Sequence, residues 1–321
     1  MTIVVTGGAG FLGQRLARRL LQRGEVAGRR IERLVLVDQA PAPDFGDPRL
    51  EVVTADVADP AAMAAVIGPE VRLVFHLAAV VSGAAEADFD LGMRINLDAS
   101  RLLLDLCRRA GRGPRVVFTS SVAIYGGTLP PVVTDETPLS PRSSYGAQKA
   151  MAELLLADYA RKGFVDGRIL RLPTISVRPG APNKAASSFA SGLIREPLNG
   201  LPAVCPVGSE LKLWLLSPRR AIEGLIAGAE LPSDVFRERR ALNLPGLSVS
   251  VGEIIAALER AGGKAAVGLI RHERDPAVED IVGSWPAAWD NSRALALGLD
   301  PDPDFDAIVR AYVEDDLQPN R

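Results

Sequence analysis

Apolar positions in the first half of the chain fall into two alternating patterns. The runs IVVTG (3–7), LVLVD (34–38), LEVVTAD (50–56), LVFHLAA (73–79), RVVFTSS (115–121) and RILRL (168–172) are short, nearly continuous and rich in β-branched residues. Such runs predict strands buried on both faces, as in a parallel sheet. Between them, FLGQRLARRLLQRG (11–24), DPAAMAAVIG (59–68), INLDASRLLLDLCRRAG (95–111) and YGAQKAMAELLLADYARKG (145–163) repeat apolar residues at helical spacing, with glycine near their ends. Strand and helix alternating in this way predict an α/β fold with a doubly wound parallel sheet. After Pro173 the pattern breaks. Residues 176–210 hold scattered Pro, Gly, Ser and Asn, 210–228 read as a strand followed by a helix, and VGEIIAALERAGG (251–263) reads as another helix. We expect one domain over 1–174, with 211–228 returning to it, and a smaller region over 175–321.

Composition narrows the class. The chain is 47% hydrophobic and 24% charged, enough apolar material for a full core. Its net charge of −2, with both signs interspersed, leaves no basic face for nucleic acid. No stretch approaches the length of a membrane span. The opening MTIVVTGGAG lacks the charged and apolar segments of a signal peptide, so the expected location is cytoplasmic. Cys107 and Cys205 stand far apart and His76 and His272 are the only histidines, so neither a disulfide scaffold nor a metal site is expected.

TGGAGFLG follows the first strand and opens the first helix, with Gly7, Gly10 and Gly13 three apart. In that context Gly7 serves a tight turn, Gly10 lets backbone approach a pyrophosphate, and Gly13 lets the helix pack closely on the sheet. The helix N-terminus offers free N–H groups to the phosphates. Asp38 ends the second strand, where a carboxylate accepts ribose hydroxyls and repels a 2′-phosphate. Gln39 and Ala40 follow it rather than a cation, which favours NAD over NADP. Asp56-Val57 and His76-Leu77-Ala78-Ala79 fall at later strand ends facing the same crevice, although either stretch also suits an ordinary loop, and His76 a core histidine.

Tyr145 and Lys149 lie one turn apart on one helical face. Alone, the pair is as compatible with a solvated surface as with a site. Beside a dinucleotide crevice it reads as a phenol whose high pKa is lowered by a neighbouring ammonium and by a cationic nicotinamide. Tyr145 would take a proton from a substrate alcohol, and Ser121, ending the fifth strand, would hold the reacting oxygen.

TGGAGFLG, Asp38, Asp56-Val57, HLAA, Ser121 and the Tyr145–Lys149 pair together resemble the extended short-chain dehydrogenase/reductases over about residues 1–175. That family includes sugar-nucleotide epimerases and dehydratases. The resemblance implies a Rossmann domain, NAD as cofactor, a C-terminal substrate region, and a homodimer packed through helices near 94–111 and 144–162. It implies cofactor contacts from Gly7, Gly10, Phe11, Leu12, Gly13, Asp38, Asp56, Val57, Leu77, Ala78, Ala79, Asn96, Ser121, Tyr145, Lys149, Pro173 and Thr174. Dehydratases of the family carry Thr-Asp-Glu where this chain has Ser121-Val122-Ala123, so water elimination is not expected. RLPTISVRPGAPNKAASSFASGLIREPLNG resembles instead the branch of the family that oxidises D-erythronate at C2 to the 2-oxo acid. A small sugar acid needs a cation for its carboxylate and polar partners for its hydroxyls. Arg178, Lys184 and Arg219 are candidates for the first, and Ser82, Ser121, Tyr145 and Asn183 for the second. A sugar-nucleotide 4-epimerase and a non-catalytic dinucleotide sensor are the alternatives.

Overall fold

The structure, a computed structural model, describes residues 1–182 and 184–317. Among these residues, seven strands form the main sheet: β1 (Thr2–Thr6), β2 (Arg33–Asp38), β3 (Leu50–Thr54), β4 (Val71–His76), β5 (Arg115–Ser121), β6 (Asp166–Leu172) and β7 (Ala241–Asn243). Their order is β3-β2-β1-β4-β5-β6-β7. Every pairing is parallel. The order reverses between β1 and β4, which opens a crevice beyond the carboxyl ends of the strands. Register brings those ends level, because Thr6 pairs with Val37 of β2 and His76 of β4.

Helices cover both faces: α1 (Phe11–Arg23), α2 (Pro60–Val66), α3 (Ala99–Ala110), α4 (Ser144–Arg161) and α5 (Pro218–Glu230). Ile3 and Val5 of β1 pack with Leu16 and Leu20 of α1 and Leu225 and Ile226 of α5. Val4 points the other way, into a second layer with Met63 of α2, Leu103 of α3 and Leu156 of α4. A sheet buried on both faces removes the polar alternation, and this is why its strands read as unbroken apolar runs. Among the described residues, no helix is long and apolar enough to cross a membrane.

The segment 211–228 divides between two layers. Strand Lys212–Leu216 pairs with Thr174–Ile175 and with Leu247–Ser250 in a small separate sheet, while α5 lies on the main sheet beside α1. Helices Ser188–Leu198, Val251–Val267 and Phe305–Asp315 pack around Leu213, Leu215 and Val249. Two features depart from the sequence reading. β7 is only three residues long, below the length at which a periodic signal can be read. The helix expected from residue 95 instead begins with a π-helical turn, Met93–Asp98.

Candidate active site

The glycine turn after β1 is built by close approach. Gly7 has φ 73°, and a Cβ there would lie 2.8 Å from the Ala78 nitrogen. A Cβ at Gly13 would run into the Gly7 carbonyl oxygen, so α1 starts directly on the turn. Gly10 caps α1 without a side-chain hydrogen bond, which leaves the first helical amides, at Phe11 and Leu12, open toward the crevice. The Asp38 carboxylate is fixed at the edge of the turn by the amides of Ala9 and Ala40, both at 3.1 Å.

Gly7, Gly10, Asp38, Asp56, Val57, Leu77, Ala78 and Ala79 line one cleft of about 300 Å³ together with Gln39, Val80, Leu91 and Ile95. Glycine floor, open helix amides and a fixed carboxylate suit a dinucleotide: the amides meet the pyrophosphate and Asp38 the ribose. His76 points into the core. Ser100 donates its hydroxyl to the Asn96 carbonyl at 2.8 Å, so His76 Nε2–H donates to Ser100 Oγ at 2.9 Å and Nδ1 accepts from Thr6 Oγ1 at 2.6 Å. Burial, and then the Lys149 charge, hold His76 neutral with a pKa of about 3. The cleft is lined instead by the residues after it, Leu77 to Val80.

At the other end, Ser121 closes β5 and accepts a hydrogen bond from the Ala123 amide at 3.2 Å. Ser143 caps α4 by accepting from the Gly146 amide at 3.2 Å. A Cβ at Gly146 would run into the Ala123 carbonyl oxygen. Glycine at this position therefore lets α4 begin against the end of β5, and so brings Tyr145 to Ser121. Burial pushes the Tyr145 phenol above its usual value, while a hydrogen bond with Ser121 and the Arg178 cation pull it down.

Lys149 is almost fully buried. Its ammonium donates to the Thr119 carbonyl at 2.9 Å and stands 4.6 Å from the Phe118 ring centre and 5.9 Å from that of Tyr145. Burial draws its pKa from 10.5 to about 7, against the pull of the Glu153 carboxylate one turn further on. Glu153 is itself paired with Arg171 at 2.8 Å, and Arg171 also donates to the Tyr125 hydroxyl at 2.6 Å. The sequence reading made Lys149 the cation that lowers Tyr145. Lys149 stands beside the Tyr145 ring with its own pKa lowered by burial, and Arg178 is a second cation, one that pulls the phenol down.

Arg178 is held through its backbone, its amide donating to Ser191 Oγ at 3.0 Å and its carbonyl accepting from Arg195 at 2.7 Å. Its Nε donates to the Ile175 carbonyl at 3.2 Å. Ser82 is buried and accepts from the Ala186 amide at 3.0 Å, bracing the 184–186 turn. Lys184 is exposed on that turn, and Asn183 lies outside the described residues. Asn96 braces the cleft wall, its amide bonded to both backbone groups of Val80 at 2.8 and 3.1 Å and to Gln148 at 2.8 Å. Pro173 and Thr174 are buried just past β6, and Thr174 pairs with Leu215.

Arg219 does not join this group. Its guanidinium is held by Asp315 at 2.8 and 2.6 Å and by Glu314 at 2.9 Å. It lines a separate hollow with Arg15, Arg18 and Arg19. Its charge is already matched by two carboxylates, so it is no candidate for a third in this cleft. Sequence reasoning missed Val80, Leu91, Ile95 and Gly146. Leu91, Ile95, Ala99 and Leu103 do keep a four-residue apolar spacing, the signal that could have placed Leu91 and Ile95 on a wall.

The fold and this cleft define a dinucleotide-binding class of enzyme. The model of the NAD dependent epimerase/dehydratase family matches residues 3–220, and the chain belongs to that family. Its cofactor is NAD. The chain is 60% identical over 319 residues to a D-erythronate dehydrogenase from Cupriavidus necator, covering 98% of each. It is 46% identical over 318 residues to a D-erythronate dehydrogenase from Haemophilus influenzae, covering 99% of this chain and all of the relative. The crystal structure of a nucleoside-diphosphate-sugar epimerase from Agrobacterium tumefaciens superposes with a TM-score of 0.91 at 43% identity, covering 98% of this chain and 94% of that one.

Proposed function

We propose that the protein is an NAD-dependent dehydrogenase that oxidises D-erythronate at C2 to 2-oxo-D-erythronate. The observation that carries the reading is the likeness over the whole chain to two proteins named D-erythronate dehydrogenase, and the Arg178 cation near the phenol that Ser121 bonds fits it. A carboxylate next to the reacting carbon is the substrate feature that such a pairing suits.

Bound NAD supplies the hydride acceptor for C2. Arg178 takes the carboxylate, its planar fork matching two oxygens. Ser121 holds the C2 hydroxyl, and Tyr145, as phenolate, removes its proton. Lys149, one helical turn from Tyr145, would hold the nicotinamide ribose and add positive charge beside the phenolate. Ser82, Lys184 and Asn183 are the further candidates for the remaining hydroxyls. We assign residues 1–174 and α5 to the cofactor and the rest of 175–321 to the substrate. We also place the protein in the cytoplasm as a homodimer joined through helices 94–111 and 144–162, a surface on which Leu154 is 66% exposed.

The expected result for Arg178→Gln is a rise in KM for D-erythronate of about a hundredfold, with NAD affinity changed less than threefold. Steady-state kinetics with each substrate varied in turn checks it. An unchanged KM for the sugar acid would remove Arg178 from the carboxylate site. A 4-epimerase would instead copurify with NAD and form no net NADH.

A further inference from the structure

The cleft wall opposite Asp56 carries an arginine that the mechanism does not use. Leu91 and Ile95 line the cleft from the helical stretch 89–98, while Asp56 and Val57 line it from the loop after β3. Arg94, beside Ile95 on the π-helical turn, reaches across and donates to Asp56 Oδ2 at 2.6 Å. Asp56 Oδ1 meanwhile accepts from the Ala58 amide at 2.8 Å. The carboxylate is thus fixed from two sides, one of them on the opposite wall. Both partners remain partly exposed, with side chains 47% and 36% accessible, so the bond closes the rim of the cleft and not its floor.

We infer that Arg94 is a positioning residue for the cofactor, tying the two walls of the adenine end together through Asp56. The apolar faces of Val57, Leu91 and Ile95 define a slot for a flat base. A carboxylate at its edge meets the exocyclic amine, which donates to an acceptor that has no proton of its own. Without Arg94, the Asp56 side chain keeps the Ala58 amide but loses its hold on the facing wall, and the loop after β3 loses its only ion pair to that wall among the described residues. Base binding then has to order both. Arg94 touches neither the reacting atoms nor the Tyr145 end, so its loss falls on cofactor affinity and leaves the chemical step alone.

The inference rests on assigning this cleft to NAD, and the test separates the two. ADP-ribose, which carries the adenine end without nicotinamide, is titrated calorimetrically into the wild type, Arg94→Gln, Asp56→Asn, the double variant and Asp38→Ala. Arg94→Gln is expected to weaken ADP-ribose and NAD by the same factor, about five- to tenfold, with kcat within twofold. The double variant is expected to bind no more weakly than Asp56→Asn alone, because Arg94 acts through that carboxylate. Unchanged ADP-ribose binding in Arg94→Gln, losses that multiply in the double variant, or a fall in kcat would each overturn the positioning role. If Asp38→Ala also binds ADP-ribose normally, it is the assignment of the cleft that fails. Thermal melting of Arg94→Gln within two or three degrees of wild type is expected for a rim ion pair, and a large drop would show a structural role instead.

Discussion

Tyr145→Phe is expected to lower turnover about a thousandfold while NAD binding stays within threefold of wild type. The substitution removes the oxygen that bonds Ser121 and leaves the ring beside Lys149. General base catalysis by a positioned side chain is worth roughly a hundred- to ten-thousandfold, and among the described residues no carboxylate or imidazole takes part in the hydrogen bond between Tyr145 and Ser121. The only nearby imidazole, His76, is turned inward with both nitrogens bonded. In the proposed reading affinity for NAD rests on the glycine turn, the α1 amides and Asp38, so it is expected to survive. Stopped-flow hydride transfer together with calorimetric NAD titration gives both numbers. Near-normal turnover would mean that the base is not Tyr145, and lost NAD affinity would mean that its hydroxyl serves the cofactor.

Lys149→Met is expected to cost two to three orders of magnitude in turnover and yet to stabilise the fold near neutral pH. The lysine is buried with the Thr119 carbonyl as its one acceptor among the described residues, and its pKa falls from 10.5 to about 7. Between those values the unfolded chain carries the proton and the folded chain does not. Wild-type stability therefore rises with pH across that window. At and below pH 7 the native state pays the full burial penalty, of order a few kcal/mol. Methionine of similar length removes the charge and the penalty together. Its advantage in urea unfolding should be largest at pH 6 to 7 and should vanish near pH 10.5. A variant less stable than wild type at pH 6 would contradict the buried-charge account. One that keeps its turnover would contradict the catalytic role.

Much of this architecture was legible in the sequence, for a physical reason. A sheet covered on both faces writes its strands as unbroken apolar runs, and the six long strands were read that way. Gly7, Asp38, Val57 and Ala78 line one cleft, and a dinucleotide crevice makes steric and polar demands of this kind that few residue types meet. What escaped notice depends on three-dimensional encounters. Gly146 looks like any helical glycine until α4 is seen against the Ala123 carbonyl. Arg219 looked as available as Arg178, but the last helix brings Glu314 and Asp315 onto it, and no local pattern announces a partner nearly a hundred residues away. The depth of Lys149 escaped for a similar reason. Spacing puts it beside Tyr145, but only the fold buries it and so lowers its pKa.

The central claim is most directly tested by incubating the purified protein with NAD and D-erythronate and following NADH absorbance while the sugar acid product is identified by mass. One NADH per molecule of 2-oxo acid is expected, with no activity toward UDP-hexoses. No NADH from D-erythronate or any other four-carbon sugar acid, from a protein that interconverts UDP-hexoses with its NAD retained, would contradict the account.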